Sequence, residues 1–413
     1  MFDTKLIRLS ASLISESLTQ MFNTSLKTGD IPKDWLISRV TPIYKGKGDK
    51  TEKKNYRPIA VVCHIAKLVE KIVNTQFLNY LRMHDLITID QHAFLVNHST
   101  STCVHQVVDE WYEAFNEREM VAACFLDISK CFDCIDHELL LFKLCKFGVS
   151  DYELKWFTNF LTGRKQIVSY NGELSNMKEM KIGIPQGSAL GPTLFLLFIN
   201  DITTSLKSAQ CSIFADDVLI YVTHRKLEYV RNKLQHSINE LSSWYNNNRL
   251  KINEGKTKVM LLKSSSSVSL NIRINNNQIE QVHSIRYLGV EVDENLSWKP
   301  HVDQLCKSLS FKVYSLGRLS KFLNAKLLNI LYNTIILSCL DYCSSIWGNC
   351  SKSFKSGLVR LQKRAARFIT GNFDFISSHG LELIKELSWQ SLEQRRDYFL
   401  ATLMFKCIHG IVD

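Results

Sequence analysis

Cys211-Ser212-Ile213-Phe214-Ala215-Asp216-Asp217-Val218-Leu219-Ile220-Tyr221-Val222 sets two adjacent carboxylates in the middle of an otherwise uncharged run. Apolar residues on both sides predict two strands, with a tight turn at Asp216–Asp217. Asp is common in turns because its side chain can bond its own backbone, so the pair alone is equally compatible with a structural turn. The surroundings favour chemistry. Two neighbouring carboxylates in an apolar frame repel one another and lose hydration, which is costly unless a cation neutralises them.

A third carboxylate belongs with them. Val121–Ile128 is a short run apolar on both faces, the pattern of a buried strand, and Asp127 stands at its end. If this strand lies beside the Asp216–Asp217 hairpin, the three acids come together. Magnesium prefers oxygen ligands and takes one or two carboxylates along with substrate phosphates. Such a cluster could hold two ions about 3.5–4 Å apart, one at an attacking oxygen and one at a leaving oxygen.

Outward from these strands, the elements alternate. Leu6, Leu9, Leu13, Leu18 and Phe22 give the first thirty residues an amphipathic helical pattern, stopped at Gly29-Asp30-Ile31-Pro32. Trp35–Tyr44 reads as a strand. A basic loop follows with Lys45, Lys47, Lys50, Lys53, Lys54 and Arg57. Gly46 and Gly48 do not make it a nucleotide P-loop, because no Gly-Lys-Ser/Thr follows to hold phosphate and magnesium. Helical periodicity marks Ile65–Leu81 and Val104–Phe115. Asp136 is placed to cap a helix through Leu139, Leu140 and Leu144. Gly and Pro punctuation over residues 182–192 precedes an apolar helix through Ile199. Ser264–Ser267 reads as a hairpin loop, and from Val302 onward the pattern is mainly helical.

Composition narrows the partners. The 413 residues carry 51 Lys and Arg against 40 Asp and Glu, a formal net charge of +11. Such a surplus suits a polyanion, since neutralised phosphates release condensed counterions. Met1–Gln20 lacks the apolar core of a secretion signal, and the run Leu194–Ile199 is too short to span a bilayer. The twelve cysteines, scattered through apolar stretches, predict reduced thiols in an intracellular protein. Cys131, Cys134 and His137 are spaced like zinc ligands, but no second pair lies nearby, and the spacing marks one helical face.

The block Phe125-Leu126-Asp127-Ile128-Ser129-Lys130-Cys131-Phe132-Asp133 resembles the first catalytic motif of non-LTR (LINE-type) retrotransposon reverse transcriptases, and Phe214-Ala215-Asp216-Asp217 resembles their signature hairpin. Asn55-Tyr56-Arg57-Pro58-Ile59, Gly183-Ile184-Pro185-Gln186-Gly187-Ser188, Leu250-Lys251-Ile252-Asn253 with Lys256-Thr257-Lys258, and Tyr287-Leu288-Gly289-Val290 follow in the family's order. Together they cover roughly residues 30–300. Leu340-Asp341-Tyr342 and Ile346-Trp347-Gly348 resemble the thumb of jockey-like and CR1-like elements.

The resemblance implies an α+β right-hand polymerase with an antiparallel palm sheet. Residues 1–300 would form fingers and palm, and 301–413 a helical thumb and truncated C-terminal region. It implies an RNA-directed DNA polymerase acting on template RNA, primer or target DNA and dNTPs, in cytoplasm and nucleus and without membrane contact. Asp127, Asp216, Asp217 and the carbonyl of Ile128 would hold two Mg2+, with Mn2+ as a substitute. Arg57 would grip the triphosphate, Phe132 would exclude a 2′-hydroxyl, and Gln186 and Gly187 would lie against the nucleotide. Lys256 would protonate the leaving pyrophosphate, and Tyr287, Leu288 and Gly289 would hold the primer end.

Leu358–Thr370 combines an apolar face of Leu358, Leu361, Ala365 and Phe368 with Arg360, Lys363, Arg364 and Arg367 on the other side, ending at a Gly371 cap. It would track a nucleic-acid backbone. After Gln91-His92-Ala93-Phe94, Leu95 stands where family members usually carry Arg. Nothing before Met1 supplies the family's endonuclease domain, and no cysteine–histidine knuckle precedes Asp413, so the expectation is a fragment or truncated copy. The competing functions are a catalytically silent, domesticated nucleic-acid-binding remnant, and a maturase or DNA-templated polymerase on the same palm.

Overall fold

The computed structural model describes residues 4–129, 131–263, 268–373 and 379–411. Ser264–Ser267, the expected hairpin loop, lies outside them. The chain forms two compact units: Met1–Phe94, Leu126–Val218 and Gln235–Thr257 make one, and Leu95–Phe125, Leu219–Leu234 and Lys258–Asp413 the other.

In the first unit, strand Ile37–Tyr44 is central. It pairs antiparallel with Tyr56–Val61, from Arg39 opposite Val61 to Tyr44 opposite Tyr56. On its other edge it pairs parallel with Lys165–Tyr170. Helix Gly191–Ile199 is buried nearly all round, which explains its continuous apolar sequence. Helix His64–Met83 presents Glu70, only 2% exposed, to the segment ahead of that helix. The Glu70 carboxylate accepts from Ser188 Oγ at 2.6 Å and Ala189 N at 2.7 Å. A buried charge is tolerable when its lone pairs are satisfied in this way. Asp136 caps helix His137–Lys146 as expected, accepting from Leu139 N at 3.0 Å.

The N-terminal expectation needs correction. Two helices, Thr4–Leu9 and Ala11–Thr28, replace one. Leu6, Leu9 and Leu13 are 54%, 74% and 83% exposed, whereas Phe22 is buried against Trp35. Only the second half of the segment packs, where Trp156 Nε1 donates to Ser25 Oγ and Asn159 Nδ2 to the Gly29 carbonyl.

In the second unit, strand Lys258–Leu262 pairs antiparallel with Val121–Phe125 and parallel with Glu280–Gln281. Strand Met120–Asp127 is buried along all but its end residues, as its two-faced apolarity predicts. Helix Thr100–Asn116 buries Cys103, Val104, Val107, Val108 and Trp111, and starts with a reciprocal Ser99–Thr102 capping box. After strand Val290–Asp293 every described element is helical. Helices Lys299–Leu319 and Lys352–Thr370 pack closely: a Cβ at Gly317 would lie 2.6 Å from the Phe368 ring. No helix among the described residues is long and apolar enough to cross a membrane.

Candidate active site

Strand Gln210–Phe214 leads through Ala215 and Asp216 into strand Asp217–His224. The turn is therefore Ala215–Asp216, one residue earlier than expected, and Ala215 takes a left-handed φ of 55°. A neighbouring segment holds it. Gln91 forms a parallel bridge with Ile213, and Gln91 Oε1 accepts from Ala93 N at 2.9 Å and Ala215 N at 3.4 Å. The Gln91-His92-Ala93 block thus holds the strand end and Ala215 of the acidic turn.

Asp127 ends its strand half-buried, and both its carboxylate oxygens have partners. Asn253 Nδ2 donates to Oδ2 at 2.9 Å, and Lys256 Nζ lies 3.3 Å from both oxygens. The backbone repeats the link: Asn253 N donates to the Asp127 carbonyl at 2.8 Å, and Ile128 bridges Ile252. Asp216 and Asp217 are open to solvent at their surfaces. Even so, crowding by surrounding protein, then the charges of Asp216 and Asp127, raise the Asp217 pKa to about 6, with Lys256 opposing. The charges of Asp216 and Asp127 thus both act on Asp217.

Among the described residues, no three His, Cys, Asp or Glu side chains already converge on one ion-sized position. The donor chemistry nevertheless suits a divalent cation. Hard carboxylate oxygens dominate, and their mutual repulsion is what a cation would relieve. Cysteine takes no part. Burial and the charge of Asp216 push the Cys131 thiol up to about 12, so it stays protonated. His137 Nε2 donates to the Gly183 carbonyl at 2.8 Å, so the Cys131, Cys134 and His137 spacing reflects local packing.

Beside the acids, a second set of expected residues is tied together by backbone. Phe132 lies in the turn Cys131–Cys134, its ring stacked on Phe195 with centroids 4.7 Å apart. The Phe132 carbonyl accepts from Ile184 N at 2.8 Å, and the Ile135 carbonyl from Gly183 N at 2.7 Å. Gln186 Nε2 donates to Asp133 Oδ1 at 2.9 Å, while the Gln186 carbonyl accepts from Ala60 N at 2.7 Å. Arg57, exposed, stands on that same strand, three residues before Ala60.

At Gly187 the structure gives a different reason for glycine. Its φ is +132°, and a Cβ would sit 2.2 Å from the Ala60 carbonyl oxygen. The close approach is to the chain itself. Asp133, Asn253, Gln91 and Glu70 were not singled out from sequence. The first three lie inside the quoted motifs, which is the signal that could have found them.

The remaining expected residues belong to the second unit. Leu288 and Gly289 form a two-residue hairpin turn with φ of 43° and 86°. Tyr342 Oη donates to the Leu288 carbonyl at 2.6 Å, and its ring closes over Gly289. Tyr287 is buried edge-on to Phe125. On helix Lys352–Thr370 the buried face is Leu358, Gln362, Ala365, Ala366 and Ile369. Leu361 and Phe368 are only half-buried, so the packed face is rotated from the expected one. Arg360 and Arg364 are exposed, Lys363 and Arg367 half-buried, and Gly371 caps the helix with φ of 73°.

Comparison with known proteins identifies the family. The model of the reverse transcriptase (RNA-dependent DNA polymerase) family matches residues 45–292. The chain is 26% identical over 381 residues to an RNA-directed DNA polymerase from mobile element jockey of Drosophila melanogaster, covering 90% of this chain and 42% of that protein. A probable RNA-directed DNA polymerase from transposon BS of Drosophila melanogaster is 26% identical over 394 residues, covering 92% and 43%. The corresponding transposon X-element protein of the same fly is 26% identical over 362 residues, covering 86% and 40%. The chain thus spans about two-fifths of the length of these curated relatives. Telomerase from Candida albicans, solved with a TWJ fragment of telomeric RNA, is similar at a TM-score of 0.48 and 12% identity, covering 89% of this chain and 67% of that one. With its α+β make-up and its family model matched across more than half of its residues, the chain belongs to the reverse transcriptase family.

Proposed function

We propose that the chain is an RNA-directed DNA polymerase of a non-LTR retrotransposon, extending a primer 3′-hydroxyl with dNTPs on template RNA inside the cell, in cytoplasm and nucleus. The observation that carries this is the gathering of Asp127, Asp216 and Asp217 at one place, where burial first, and then the charges of Asp216 and Asp127, raise Asp217 to about 6. Its family uses divalent metal ions. Asp127, Asp216, Asp217 and the Ile128 carbonyl would hold two Mg2+, or Mn2+ in their place. When bound, such ions supply a more acidic primer hydroxyl and charge stabilisation at the leaving oxygen.

The chain's own groups do the rest. Arg57 offers a permanently charged planar fork to the triphosphate. Gln186, anchored through Asp133, and Phe132, backed by Phe195, border the sugar and base of the incoming dNTP. The primer oxygen forms a bond to the α-phosphorus, the bond from that phosphorus to the bridging oxygen breaks, and pyrophosphate departs. Lys256 donates a proton to it, and the primer hydroxyl's proton passes to water. Residues 1–300 would be fingers and palm and 301–413 the thumb. Tyr287, Leu288 and Gly289 would steady the primer, with Arg360, Lys363, Arg364 and Arg367 along the nucleic-acid backbone.

The test is primer extension on RNA and DNA templates with and without Mg2+. Removing a carboxylate aimed at developing charge typically costs orders of magnitude in rate. Asp216→Ala should therefore abolish Mg2+-dependent extension on RNA while circular dichroism stays unchanged. Undiminished extension by that variant refutes the site assignment. Template binding without extension by the unaltered chain identifies a nucleic-acid-binding remnant instead.

A further inference from the structure

Both oxygens of Asp127 are already in use. Lys256 Nζ is equidistant from them at 3.3 Å, and Asn253 Nδ2 holds Oδ2 at 2.9 Å. A divalent ion binds these oxygens less well while an ammonium lies against both of them, since the two cations repel and compete for the same carboxylate. The two holders differ in how they can respond. Asn253 is neutral and fixed: its N–H donates to the Asp127 carbonyl, and its own carbonyl accepts from Lys256 N, Thr257 N and Thr257 Oγ1. The Lys256 side chain is 69% exposed on a flexible four-carbon stem, so it can leave Asp127 without disturbing the loop.

We infer that Lys256 is an exchangeable internal counter-ion: it neutralises Asp127 while the site is unloaded, yields it to the divalent ion, and moves to the phosphates of the dNTP. Asn253 is the positioning residue that keeps Asp127 turned into the site through the exchange. This rests on the metal-site assignment above. It adds that the same lysine serves both states, which couples ion binding to nucleotide binding. A nucleotide that draws Lys256 away removes the competitor for Asp127, so each ligand favours the other.

The experiment is Mn2+ binding to the full chain, without and then with dNTP, followed by electron paramagnetic resonance of the free ion. An exposed lysine–carboxylate pair contributes little, so the effect without nucleotide is modest. Lys256→Met and Lys256→Gln should bind Mn2+ about two- to five-fold more tightly than the unaltered chain. Lys256→Arg should stay close to it. With dNTP present, the unaltered chain should gain Mn2+ affinity and Lys256→Met should gain less. Two substitutions guard against one failing to fold. Equal or weaker Mn2+ binding by both Met and Gln variants overturns the exchange while leaving the metal site standing. If the unaltered chain binds no Mn2+, or Asp127→Asn leaves binding unchanged, the metal-site assignment itself fails, and this inference with it.

Discussion

With Asp217 holding a divalent ion as proposed, its raised pKa should make ion binding depend on pH in a range where carboxylates ordinarily do not titrate. At a pKa of about 6, Asp217 is about 9% ionised at pH 5, about half at pH 6, and about 91% at pH 7. Only the ionised form accepts a cation, so apparent Mn2+ affinity should rise about tenfold from pH 5 to pH 7 and level off above pH 7. Binding near pH 5 should release about one proton per chain, and near pH 7 about a tenth of one. The sign for folding is opposite. The folded pKa lies above the ordinary 3.8, so this group's contribution to stability is fully present below about 4 and lost as pH rises through about 6. The metal-free chain should therefore lose stability across that window and regain it when Mn2+ is added. Isothermal titration in buffers of differing ionisation enthalpy reads affinity and proton release together. Because Lys256 opposes the shift and Asp216 promotes it, Lys256→Met should move the midpoint up and Asp216→Asn down. An affinity flat from pH 5 to pH 7, or a midpoint that ignores both substitutions, refutes a shared field among these carboxylates.

Gly187→Ala meets both a φ of +132° and a Cβ placed 2.2 Å from the Ala60 oxygen. It should destabilise the chain by about 1–3 kcal/mol, read as a lower urea midpoint at unchanged m-value, and weaken dNTP binding by disturbing Gln186. An unchanged midpoint would mean that the Gly187–Ala60 contact relaxes freely. Phe132→Val removes the ring stacked on Phe195 at the expected sugar position. Primer extension with ribonucleotides should then rise at least about tenfold relative to deoxynucleotides, a loss of about 1.4 kcal/mol of discrimination. Unaltered selectivity would return Phe132 to the role of a core aromatic.

What the sequence made legible and what it hid follow from how local each cause is. Asp136 as a cap, Gly371 as a helix stop and Val121–Asp127 as a buried strand each depend on a few adjacent residues. Their patterns are therefore visible without any partner. The apolar face of helix Lys352–Thr370 depends on a neighbour. Gly317 admits the Phe368 ring from the side, and Gln362 rather than Leu361 is buried, at 1% exposure. The exposed Leu6, Leu9 and Leu13 make the same point, because periodicity predicts a face but not what covers it.

The site shows the division most sharply. Its three carboxylates could be singled out from their apolar framing, but the pairings that set their surroundings could not. Asn253 and Lys256 reach Asp127 across 126 and 129 residues, Gln186 reaches Asp133 across 53, and Ser188 reaches Glu70 across 118. None of these pairs has a spacing rule, since each is a product of strand pairing and helix packing. Motif order carried part of that information indirectly. Leu250-Lys251-Ile252-Asn253 and Lys256 matter because Ile252 bridges Ile128, which sets Asn253 beside Asp127 and brings the lysine with it. A lysine delivered by the backbone to the carboxylate proposed to hold the ion cannot be neutral toward that ion. That is why its removal should strengthen ion binding even as it weakens catalysis.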